Sequence, residues 1–164
     1  MVWKRARSPE QIEQRRLDIL RAAGDLFEAK GIDDVSLTAI ACRAKISKAN
    51  VYRYFESREA IFIEILVGEV ERWVTELERQ LAPLAGTDNI DSFVTSLVDE
   101  SVSRPKMLAL MAALPSVLER NVSGDVIRGF KRSILGFALR LNNAANAALP
   151  SLGMEAMHHF YIIR

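Results

Sequence analysis

Lys48, Ala49, Asn50, Tyr52 and Arg53 stand almost side by side in the chain. Together they offer an ammonium, a methyl, a carboxamide, a phenol and a guanidinium. Such groups match the donors, acceptors and methyls of base edges and the oxygens of a phosphate backbone. This is recognition chemistry, and it needs a short helix that shows these groups on one face and packs by the other. Ile46, Val51 and Phe55 supply the packed face. Just upstream, Leu37, Ile40 and Ala41 fall at i, i+3, i+4 and make a second apolar stripe. Ser36 and Ser47 stand where the two helices would start, and a serine hydroxyl there accepts from the free N–H groups of the first turn. Ala44-Lys45-Ile46 leaves room only for a turn. Residues 36–55 therefore read as two short helices with a tight turn between them, the form of a major-groove reader.

No other constellation competes with this one. Cys42 is a lone thiol between Ala41 and Arg43 and reads as a small, at least partly buried apolar residue. His158 and His159 are adjacent, so on a helix they diverge by about 100° and cannot chelate one metal from one face. No Cys/His cluster, nucleophile elbow, glycine-rich phosphate loop or supported carboxylate pair is present. The sequence thus predicts no enzymatic activity, no metal and no cofactor.

The elements that must hold the reader follow from periodicity and caps. Ser8, Pro9 and Gln11 form a helix start, with a serine cap, a proline at the first position and a glutamine able to close a capping box. Ile12, Ile19, Leu20, Ala23, Leu26 and Phe27 carry that helix over about residues 9–30, and Gly31 ends it. Ser57 caps a long helix whose apolar positions, Ile61, Ile65, Leu66, Val70, Trp73, Val74, Leu77 and Leu81, run to Pro83. A helix of that length must connect the small N-terminal bundle to the C-terminal part of the chain. A fifth helix starts at Asp88 or Asn89, with Ile90, Phe93, Val94, Leu97 and Val98 expected on its inner face. A sixth starts at Arg104-Pro105 and is expected to bend or break at Pro115. A seventh covers about Asp125–Leu149, and an eighth starts at Gly153 and is still running at Arg164. No strand pattern appears. The fold expected is all-α, with an N-terminal three-helix bundle carrying the helix-turn-helix over residues 1–57 and a larger helical domain over 58–164.

Composition agrees with this division. The chain has 164 residues, 49% of them hydrophobic and 26% charged, with a net charge of +1. Through Arg58 there are twelve basic against eight acidic residues, and beyond it ten against thirteen. A basic head on an acidic body suits a nucleic-acid partner. Val2–Arg7 reads either as a solvated arm or as one that follows phosphates or enters a minor groove. One cysteine excludes an internal disulfide and fits a reducing compartment. The longest apolar runs fall short of the ~20 residues of a membrane span, and no apolar run backs the basic N-terminus as in a secretory signal. The expectation is a cytoplasmic protein with no membrane partner.

Arg16, Ile19, Leu20, Ala22-Ala23, Leu26-Phe27, Gly31, Ser36, Ile40-Ala41, Ala44, Ile46-Ser47-Lys48, Val51-Tyr52, Tyr54-Phe55 and Glu59 keep an order and spacing over about residues 8–66 that resembles the DNA-binding domain of TetR-family transcriptional repressors. Lys45 departs from the pattern, because that turn usually carries glycine, and a left-handed lysine costs ~1 kcal/mol. Residues 67–164 resemble the family's body in architecture alone. Family chains continue through an eighth and a ninth helix that build a four-helix dimer interface. This sequence ends within the eighth, which leaves the dimer residues unassigned.

The resemblance implies that Ser47–Tyr54 enters the major groove. Lys48 would reach guanine O6/N7, Asn50 an adenine edge, Ala49 a thymine methyl and Arg53 a base or a phosphate. Tyr52, Tyr54, Ser36 and Thr38 match phosphate-holding positions, and Arg58 a backbone-binding one. Met107, Met111, Phe130, Phe137 and Phe160 are core by spacing, and in this family the same helices line an effector cavity. The partners implied are double-stranded operator DNA, a second copy of the chain and a small apolar or aromatic effector that relieves repression. The alternatives are a constitutive TetR-like DNA binder without effector and a helical protein-binding adaptor.

Overall fold

The computed structural model describes residues 8–118 and 122–152, the side chains of Ser116, Leu118 and Leu152 excepted. Among these residues the chain is built of α-helices and short 3-10 turns, with no strand. The first helix, α1 (Pro9–Lys30), starts where expected: the Ser8 hydroxyl accepts from the Gln11 N–H at 3.3 Å and Pro9 takes the first position. It ends at Gly31, whose φ of 77° lies in the region that favours glycine. Next come α2 (Leu37–Arg43) and α3 (Lys48–Val51), with α2 packed on both α1 and α3. A long helix, α4 (Arg58–Leu81), is capped by the Ser57 hydroxyl, which accepts from the Ala60 N–H at 3.1 Å. The chain continues through α5 (Ile90–Val102), α6 (Pro105–Leu118) and α7 (Gly124–Ala148). The expected eighth helix and Phe160 lie outside the described residues. No described helix is long and apolar enough to cross a membrane.

The chain divides into two compact units, Met1–Leu66 with Ala109–Phe130, and Val67–Leu108 with Lys131–Arg164. The core of the first joins Ile19 and Ala23 of α1, Ile40 of α2, Val51 of α3 and Ile61 of α4, each fully buried. Phe27 and Phe62 meet with ring centroids 5.9 Å apart at 55°, a tilted pair that favours edge-to-face attraction. Arg16 binds Glu64 through both of its carboxylate oxygens and lies 4.8 Å over the Phe55 ring. One arginine thus ties α1 to α4 and to the residue that ends the reader. Ile12, expected on the packed face of α1, is 47% exposed. It lies in the first turns, before the buried stretch that starts at Ile19.

In the second unit, Val70, Val74, Leu77 and Leu81 are the buried stripe of α4. The rotation of α5 differs from the expectation. Ile90, Val94 and Val98 are each about half exposed, and Val102 more so. The side turned inward carries Glu100 and Ser101: Glu100 accepts from Gln80 at 3.1 Å and from Arg104 at 2.5 Å, and Ser101 accepts from the Trp73 indole N–H at 3.2 Å. Leaving such polar groups buried without partners would cost more than exposing valines, so the hydrogen bonds set the rotation. Asp88, at φ 51°, accepts from both the N–H and the hydroxyl of Ser151, while the Gly86 and Asp88 N–H groups donate to Ala147 and Ala148. Arg140 grips Glu78 and holds that carboxyl below its usual range.

Of the two outcomes expected at Pro115, a break in the sixth helix does not occur. The helix runs unbroken through Pro115 to Leu118. The proline falls in the last turns, where few ladder hydrogen bonds remain to be lost.

Candidate nucleic-acid interface

The reader is assembled by local hydrogen bonds. The Ser36 hydroxyl accepts from the Ala39 N–H at 3.1 Å, and the Ser47 hydroxyl from the Asn50 N–H at 3.2 Å. Between the helices, Ile46 N–H donates to Ala41 and Lys45 N–H to Cys42, at 2.9 and 3.0 Å. This paired closure needs a left-handed residue at the position after the helix cap. Lys45 occupies it, with φ 56°. The strain anticipated for lysine in place of glycine is therefore present. Lys45→Gly is expected to raise stability by about 1 kcal/mol, read as a higher urea midpoint. Lys45→Ala, which removes the charge and keeps the strain, should not raise it.

The regular part of α3 is shorter than expected. It spans Lys48–Val51, and the chain then tightens, with Arg53 N–H donating to Asn50 and Tyr54 N–H to Val51. The two faces separate cleanly. Val51 and Phe55 are buried, at 0% and 5%, while Lys48, Ala49, Tyr52 and Arg53 are exposed and Asn50 and Tyr54 half-buried. Ser36 and Thr38 are exposed at the start of α2. Arg58 stands apart from this set. Its guanidinium donates to the carbonyls of Ile32 (3.2 Å) and Val35 (2.9 Å) and pairs with Glu59, and its side chain is 23% exposed. Here it serves as an internal tether between the α1–α2 loop and α4. Cys42 is exposed, against the expectation of burial.

A groove of about 670 Å³ is lined by Leu37, Tyr52, Glu56, Ser57, Arg58, Glu59 and Ser123. Ser123 comes from the segment just before α7, and its N–H donates to Glu56 at 2.7 Å. No sequence signal could pair these two residues. The contribution of Arg16 was legible only as one residue of the family pattern, with no indication of what it grips.

Residues 19–65 match the pattern of bacterial regulatory proteins of the tetR family, and residues 67–163 match the tetracyclin repressor-like C-terminal domain. The chain belongs to the TetR family of transcriptional regulators. It is 28% identical over 131 residues to the HTH-type transcriptional regulator RutR of Escherichia coli (strain K12), covering 75% of this chain and 58% of RutR. It is 32% identical over 88 residues to the HTH-type transcriptional regulator UidR of the same organism, covering 54% of this chain and 43% of UidR. The chain thus spans about half the length of these curated relatives. The crystal structure of a TetR-family regulator from Mesorhizobium loti shares the fold, with a TM-score of 0.58 at 19% identity over 86% of this chain and 69% of that one.

The residues of this TetR-family regulator that were expected against an effector do not share one environment. Met107 is buried, Met111 is 50% exposed, and Phe130 and Phe137 are half-buried. Met107 and Phe137 belong to the second compact unit, Met111 and Phe130 to the first. Among the described residues no His, Cys, Asp and Glu group is placed to hold a metal ion.

Proposed function

We propose that this regulator is a dimeric repressor that reads its operator through α3 and is released from it by a small apolar or aromatic effector. Lys48 donates to guanine O6/N7, Asn50 pairs with an adenine edge, Ala49 touches a thymine methyl and Arg53 takes a base or a phosphate. Tyr52, Tyr54, Ser36 and Thr38 hold phosphates. The observation that carries this reading is the division of the segment into two faces: Val51 and Phe55 are buried, while Lys48, Ala49, Tyr52 and Arg53 are exposed. Residues 1–57 are the reading head, and 58–164 the body that binds the effector and a second copy. The family resemblance offers Met107, Met111, Phe130, Phe137 and Phe160 for effector contact.

Two copies of α3 must lie about 34 Å apart to enter successive major grooves. Selection from a random DNA pool is therefore expected to return palindromes with half-site centres about one helical turn, or a multiple, apart. Sedimentation of the protein alone should give a dimer. A monomer that selects a single asymmetric site would rule the dimeric reading out. A library of apolar and aromatic compounds should contain at least one that raises the melting temperature and releases the selected DNA. If none does, the protein binds its operator constitutively.

A further inference from the structure

The contact between Glu56 and Ser123 joins segments 67 residues apart in sequence. Glu56 sits at a sensitive point. Phe55, just before it, is the buried anchor at the exit of the reader, and Ser57, just after it, caps α4. Its carboxylate is fixed from outside both elements, by the Ser123 N–H at 2.7 Å. Ser123 is fixed in turn to α7: its hydroxyl accepts from the Val126 N–H at 3.3 Å and its carbonyl from the Ile127 N–H at 3.1 Å. A carboxylate there also meets the favourable end of the α7 dipole. Residues 109–130 belong to the same compact unit as the reader, and α7 continues as one helix past Phe130. Glu56 and Ser123 both line the groove beside the contact.

We propose that the Glu56–Ser123 hydrogen bond is a latch through which α7 sets the orientation of α3, so that Glu56 and Ser123 are positioning residues for DNA reading. This rests on the reading of α3 as the DNA-binding element. With the latch closed, the exit of α3 and the start of α4 are held from α7. With it open, the exit of α3 is held by its own packing alone and the reading face is less well ordered.

Two conservative variants separate this role from simple charge. Glu56→Gln keeps an oxygen at the same reach and removes a negative charge that DNA would repel. Glu56→Asp keeps the charge and withdraws the oxygen by one methylene. Affinity is measured by fluorescence anisotropy on DNA selected with the wild-type protein, with Lys48→Ala as a control for the reader itself. Glu56→Gln should bind at least as tightly as wild type, and Glu56→Asp about five- to tenfold more weakly, the loss of one charge-assisted hydrogen bond. Amide exchange gives a second readout: the Ser123 N–H should be protected in wild type and Glu56→Gln and lose protection in Glu56→Asp. Equal affinities for the two variants, or an unprotected Ser123 amide in wild type, would overturn the latch. Failure of the wild type to retain any selected DNA, or indifference to Lys48→Ala, would instead overturn the reader.

Discussion

Replacing both Lys48 and Tyr52 by alanine is expected to weaken operator binding by about a hundredfold while leaving the fold intact. The two side chains lie at i and i+4, so they project on one face of the reader. Both are exposed, Tyr52 by 53%. A base contact from Lys48 is worth about 1–3 kcal/mol, and a hydroxyl to a phosphate about 1–2 kcal/mol more. At about 1.4 kcal/mol per decade, the pair accounts for roughly two decades of affinity. The single variants should differ in kind. Lys48→Ala should relax the preference at one guanine position, and Tyr52→Ala should weaken all sequences alike. The melting temperature of the double variant should stay close to that of wild type, because neither side chain is in the core. Unchanged DNA retention by the double variant would remove the DNA reading and favour a helical adaptor whose N-terminal bundle binds protein.

Phe62→Ala is expected to cost about 3–5 kcal/mol of stability. Phe62 is 2% exposed and packs its ring against Phe27. Alanine there removes most of a fully buried aromatic and leaves a cavity among side chains that cannot all collapse into it. Total stabilities of about 5–15 kcal/mol leave little margin for such a loss. DNA binding should fall with the folded fraction, so cooling towards the temperature of maximum stability should recover part of it. It should not recover for the Lys48 and Tyr52 pair, whose loss is of contacts. The measurement is a urea titration followed by circular dichroism, with Phe62→Leu as the milder companion. A stability within about 1 kcal/mol of wild type would mean that the ring is not a core element of the head.

These two variants mark where the sequence was informative. The reading face and its caps were legible because they depend on neighbours: Ser8, Ser36, Ser47 and Ser57 each bond within their own first turn. The left-handed Lys45 was legible for the same reason, since a turn that short admits few closures. The buried stripe of α4 followed from its period, and the family pattern marked Arg16. The rotation of α5 was not legible. It carries apolar residues on more than one side, and the choice between them was made by Trp73 and Gln80, which lie on α4 and bond Ser101 and Glu100. The inward bonds of Arg58 were not legible either, because they run to the backbone carbonyls of Ile32 and Val35, and a carbonyl has no signature in a sequence.

The sequence by itself determined the all-α class, the helix starts, the strained turn and the set of side chains that α3 exposes. Each depends on backbone sterics, caps or periodicity within a few residues, and these act alike in any fold. Tertiary structure alone decided that Arg58 turns inward, that α5 exposes its valines, that residues 109–130 share a compact unit with α3, and that Glu56 meets Ser123. These depend on which groups from distant parts of the chain meet and satisfy each other's hydrogen bonds. Such a match is a property of the packed chain, and no local pattern encodes it.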